Sequence, residues 1–113
     1  QAGMQIGAHT VHHPILAVLD DDDARTEIGQ SKRDLEQLLD EPVTLFAYPN
    51  GRPGTDYSPR SVELVREAGF ELAVSTAWGA ARYESDPFQM PRFTPWDRTR
   101  TRFGVRLIGN LLR

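Results

Sequence analysis

VTLFAYPNGRPG, residues 43–54, decides the fold. Residues 43–48 are apolar, β-branched or aromatic, the composition of a buried strand. Residues 49–54 hold two prolines and two glycines, which end that strand in a shaped loop. Both flanks read as helix. Upstream, the run Asp20 to Asp23 caps a helix over 20–39, because carboxylates suit free N–H groups and the positive end of the helix dipole. Ile28, Leu35, Leu38 and Leu39 supply its apolar spacing, and Glu41-Pro42 stops it. Downstream, Ser58 is an N-cap and Pro59 a first helical residue. Val62, Leu64, Val65 and Ala68 form that helix's apolar face, and Gly69 ends it.

The same alternation extends outward. Residues 5–8 read as a short buried strand running into three histidines, with some helical character over 15–19. FELAVS, 70–75, is a further strand, 76–89 an irregular loop, and 89–94 a short last strand. Phe103, Leu107, Ile108 and Leu111 make 99–112 an amphipathic helix. Strands separated by helices argue a mostly parallel α/β sheet. Four strands cannot close a barrel, which takes about eight. The chain is therefore either a small open sheet or the back part of a barrel.

Composition narrows the function classes. The 113 residues suit one domain or part of one, and 39% hydrophobic with 26% charged residues is ordinary for a globular chain. A net charge of -3 gives no basic face for nucleic acid. No apolar run is long enough for a membrane span. With no cysteine, any transition-metal site must use histidine, carboxylate and water. The first residue is Gln1, so a leader or further N-terminal segment is expected to lie upstream, and localisation is unknown.

All three histidines lie in HTVHHP, residues 9–14. His9 and His12 are three apart, His9 and His13 four apart, and either spacing can put two imidazoles on one side of a helical turn. They would sit just past a strand end, where reactive groups collect in α/β folds. The alternative is a loop whose histidines cap backbone groups or face solvent.

HTVHHP resembles the histidine motif H-[ST]-x-x-H-P of the polysaccharide deacetylase (NodB-homology) family. EIGQSKRDLEQLL is similar to the family's next helix, FAYPNG to its third motif, and VREAGFELAVST to the helix and strand beyond, a likeness running to about Asp97. The resemblance implies the C-terminal part of a deformed (β/α) barrel. It also implies a divalent metal, usually Zn²⁺, and hydrolysis of N- or O-acetyl groups on a polysaccharide. His9 and His13 would be the metal ligands, with His12 at a variable position. The backbone N–H of Asn50 would be the oxyanion donor. Thr10 would steady the turn. A secreted or cell-envelope setting fits the family.

The chain also departs from the pattern. The family's first motif, T-F-D-D, supplies the base and the third ligand, a carboxylate, and is absent here. Residues 1–113 are thus expected to be one partial domain lacking its N-terminal strands, and the fragment alone to be inactive. Asp20 to Asp23 read as a helix cap rather than a replacement. The third-motif arginine aligns with Ala47, and Arg92 is the candidate substitute, set against a surface ion pair. No histidine follows His13, so the family's general acid has no counterpart. Trp78 could form a groove wall by stacking on sugar rings, or pack in a core. Trp96 reads as structural. Tyr48 could contact substrate or finish a buried strand. Two further readings remain: a non-catalytic carbohydrate-binding derivative of the fold, and an unrelated metal hydrolase with H-x-x-x-H. Half a barrel would also expose a sheet edge, which predicts self-association.

Overall fold

A computed structural model describes residues 3–113. A single 3-10 turn, Leu16–Val18, precedes helix α1, Asp21–Leu39. Strand β1, Leu45–Ala47, helix α2, Pro59–Glu67, strand β2, Leu72–Val74, and helix α3, Arg100–Leu111, follow. The Asp20 side chain accepts from the Asp23 N–H at 2.8 Å, and Asp40 ends α1 in the left-handed region. Ser58 and Ser61 cap α2 reciprocally, and Gly69, at φ +93°, turns the chain out of it.

Ala24, Ile28 and Ser31 form the buried seam of α1, with Leu35 and Leu39 packed beside it. Leu38, expected on this face, is 79% exposed. Ten residues from Ile28 at ~100° each leave it roughly 80° off the seam.

The strands β1 and β2 pair in parallel, Leu45 with Leu72 and Ala47 with Val74. Ala8 bridges Phe46 on one side and Met90 bridges Val74 on the other, both parallel. Four parallel segments therefore run in the order Ala8, β1, β2, Met90, the arrangement expected of consecutive strand–helix units. The outer two are shorter than the sequence suggests. Thr10 adopts φ +67° and bends the chain soon after Ala8, while Pro91 lacks the N–H that would extend a ladder past Met90. Gly7 permits a close approach to β1: a Cβ there would lie 3.2 Å from both the Leu45 Cβ and its carbonyl oxygen, tighter than an ordinary contact.

Phe46 and Ala73 are buried in one core cluster with Ala24 and Ile28 of α1 and Val62 and Val65 of α2. Phe46 lies 5.4 Å from the Tyr48 ring and 5.2 Å from Phe70. Leu45, Ala47, Leu72 and Val74 occupy the other sheet face, half-buried, and with His9 line a shallow apolar hollow. The helix α3 forms as expected, yet its Ile108 and Leu111 face solvent. It is tied down by Asn110, whose side chain accepts from the Gly79 N–H at 2.8 Å and donates to the Gly79 carbonyl at 3.0 Å. No helix among the described residues is long and apolar enough to cross a membrane.

Candidate metal centre

The histidines lie on a tight loop rather than the helical turn that their spacing allowed. Thr10 and His13 both take left-handed backbone, φ +67° and +58°, a conformation that costs an L-residue about 1–2 kcal/mol. Such strain persists only where neighbours hold it. Thr10 Oγ1 donates to the His9 carbonyl and accepts from the His13 N–H at 3.1 Å, as its expected steadying role requires.

The fold brings His9 and His13 together, ring centroids 4.7 Å apart and planes at 68°. His9 Nδ1 lies 2.7 Å from the carbonyl oxygen of Ala47, the last residue of β1. A carbonyl only accepts, so Nδ1 carries a proton, and in the neutral ring the lone pair is on Nε2. Backbone carbonyls commonly orient metal-binding imidazoles in this way. His12 points elsewhere, to Glu27 on α1 at 2.7 Å.

The donor set thus suits two ligands of a zinc-like cation. Among the described residues no third His, Asp or Glu completes the group. The acidic run does not supply one: Asp20 caps Asp23, Asp21 binds Arg60 at 2.7 Å, and Asp22 binds Arg25 at 3.1 Å. Helix capping and surface pairing account for it.

Asn50 follows β1 by three residues, at the strand end where His9 is anchored. It has φ +57°, and the Gly51 N–H donates back to Pro49 O at 2.6 Å, so Asn50 sits at the apex of a three-residue turn. Its own N–H bonds no other group among the described residues, and the residue is exposed. Gly51 is required: at φ +79°, a Cβ would lie 3.1 Å from the Thr76 nitrogen and 3.2 Å from Tyr48 O. Thr76 clamps the turn from the end of β2, donating from N to Gly51 O and from Oγ1 to Asn50 O.

The remaining expected site residues divide. Arg92 is exposed and forms no ion pair among the described residues, so the surface-pair alternative does not describe it. It follows the Met90 segment, three strand positions from Ala8, roughly 14 Å at sheet spacing. Trp78 is 58% exposed on the loop after β2, with Arg113 and Arg106 carbons 5.0 and 5.8 Å from its ring. It is not a core residue, and neither is Trp96, which is 80% exposed. Tyr48 is fully buried, stacked on Tyr57 at 4.0 Å, with its hydroxyl donating to Phe88 O at 2.8 Å. Burial pushes that hydroxyl's pKa up, so it stays a donor. A core strut describes it; a substrate contact does not.

Sequence reasoning passed over Glu27. Its Oε2 accepts from the Val11 and His12 N–H groups, each at 2.9 Å, so one carboxylate on α1 grips the histidine turn. Burial pushes this carboxyl's pKa up, but the bonds from His12 and Val11 outweigh it and hold it below the usual range. The sequence signal was faint: Glu27 is three residues after Ala24 and next to Ile28, beside the buried seam.

A family model described as polysaccharide deacetylase matches residues 1–73, and the chain belongs to that family. The model match ends short of Asp97, but YxkH of Bacillus subtilis (strain 168), which bears a polysaccharide deacetylase name, is 26% identical over 92 residues. That match covers 81% of this chain and 32% of YxkH. The Streptococcus pyogenes deacetylase PplD, solved in complex with acetate, is similar at 29% identity and a TM-score of 0.71, over 77% of this chain and 37% of that one. BC0361, a polysaccharide deacetylase from Bacillus cereus, shares the fold at 19% identity and a TM-score of 0.63, over 78% and 27% of the two chains. The chain spans about a third of the length of these relatives.

Proposed function

We propose that these residues belong to a metal-dependent hydrolase that removes N- or O-acetyl groups from a polysaccharide. One observation carries the reading: His9 and His13 converge while His9 Nδ1 is committed to Ala47 O, leaving Nε2 for a cation. Family membership supports it, as does the acetate bound to PplD, since acetate is the acid such a reaction releases. His9 and His13 are two ligands, and the carboxylate that completes the set is not among the described residues. When bound, a zinc-like cation supplies Lewis acidity toward the acyl oxygen and toward water.

The chain's own residues do the rest. The free N–H of Asn50 donates to the oxyanion as water oxygen bonds to the acyl carbon. Thr76 and Gly51 hold that N–H fixed, so little reorganisation is needed when charge develops. The acyl C–N or C–O bond then breaks, and the leaving sugar nitrogen or oxygen takes the proton that the attacking water gives up, so acetic acid and the free amine or hydroxyl separate. Trp78, exposed on the neighbouring loop, offers a face for a sugar ring. Arg92, just past the Met90 segment, would take the part of the family's third-motif arginine and orient the base aspartate.

A non-catalytic carbohydrate-binding role is the second reading, favoured by Ala47 standing where the family's third motif carries arginine. The test is acetate release from acetylated chito-oligosaccharides and acetyl-xylan by the intact, metal-loaded protein. Release that a chelator abolishes and added Zn²⁺ restores is the expected result. Tight sugar binding with no acetate release would establish the second reading instead.

A further inference from the structure

We infer that Glu27 is a positioning residue for the histidine pair, an inference that rests on the metal-site reading above. Its place is set by the fold. Glu27 lies on α1 beside the seam Ala24–Ile28–Ser31, with its side chain only 15% exposed. From there Oε2 accepts two consecutive backbone N–H bonds, from Val11 and His12, and Oε1 pairs with His12 Nδ1 at 2.7 Å. Bonds to a carboxylate are about twice as strong as neutral ones.

The geometry explains why such a grip is needed. His9 is fixed by β1 through Ala47 O. His13 lies across a turn whose two ends, Thr10 and His13, are both left-handed. Relaxing either residue would rotate the His13 imidazole away from His9. Thr10 supplies one restraint, a single hydroxyl bond to the His13 N–H. Glu27 supplies the others, to the two residues between them, and ties the turn to α1. The two ligands are therefore held by separate elements, one by a strand and one by a helix. His12 gains a role that its variable motif position did not suggest: its ring closes the third bond of the grip.

The test uses Co²⁺ affinity of the intact protein, with amide hydrogen exchange at Val11 and His12 as a metal-free readout. Glu27→Ala is expected to weaken Co²⁺ binding roughly 10–100-fold, the usual effect of removing a partner that orients ligands, and to speed exchange at both amides. Glu27→Gln, whose amide oxygen still accepts from the two N–H groups, is expected to recover part of the affinity. Ser58→Ala, which removes an α2 cap whose bonds go to Ser61 and not to the turn, controls for lost stability and should leave affinity unchanged. Wild-type-like affinity and exchange in Glu27→Ala would overturn the inference alone, as would equal weakening by Ser58→Ala. A wild-type protein that bound no Co²⁺ would overturn the metal-site reading and this inference with it.

Discussion

Replacing Tyr48 by Phe separates a core strut from a substrate contact. The substitution keeps the ring, stacked 4.0 Å from Tyr57 and edge-on to Phe46 at 5.4 Å, and deletes only the hydroxyl. The lost bond to Phe88 O is 2.8 Å long. A typical hydrogen bond contributes about 0.5–1.5 kcal/mol net, and a carbonyl left without a partner costs about 1–3 kcal/mol if water cannot reach it. Phe88 is only half-buried, so water recovers part of that cost. The expected loss is therefore about 1 kcal/mol. This lowers Tm by roughly 4–8 °C in a domain of ~60–100 residues and by about half as much in one twice that size. Thermal unfolding measures it, and KM for an acetylated oligosaccharide should not move. An unchanged Tm with a raised KM would refute the burial argument and return Tyr48 to the substrate.

Gly51→Ala should cost about 1–2 kcal/mol from its left-handed backbone alone, with a further cost because the new methyl meets Thr76 N at 3.1 Å. Since Thr76 clamps Asn50, turnover should fall toward the roughly 10²–10³-fold loss typical of a removed oxyanion donor, read as kcat. Asp86 gives a pH signature. The Gln89 side-chain bond holds its carboxyl below the usual aspartate range. Its contribution to stability is therefore full above the unfolded value near ~3.9 and is lost as pH falls through the lower folded value. Urea midpoints should show an acid limb in the wild type that is shallower in Asp86→Asn.

The sequence made the local elements readable where short-range chemistry decides them. Asp20, Ser58 with Pro59, and Gly69 mark helix ends because caps act over a few residues. The strand Leu45–Ala47, inside the expected 43–48, was legible because Val43, Phe46 and Tyr48 are buried apolar positions at its ends and centre. Long-range placement was less so. Nothing local says that Tyr48 turns inward to Phe88, forty residues away, or that Glu27 reaches back to Val11. Leu38 keeps a helical spacing to Leu35 but lies off the seam of Ala24, Ile28 and Ser31, which local spacing does not reveal. The histidine spacing brought the right pair together by a different backbone, two left-handed residues instead of a helical turn. Single-residue spacing cannot distinguish the two, since both put residues 9 and 13 side by side.

Anomalous X-ray scattering at the zinc edge, from crystals of the intact protein grown with Zn²⁺, addresses the metal directly. The account predicts one strong peak about 2.0–2.1 Å from Nε2 of His9 and from a ring nitrogen of His13, with His9 Nδ1 still on Ala47 O. A peak at His12 and Glu27 instead, or none near residue 9, would contradict it.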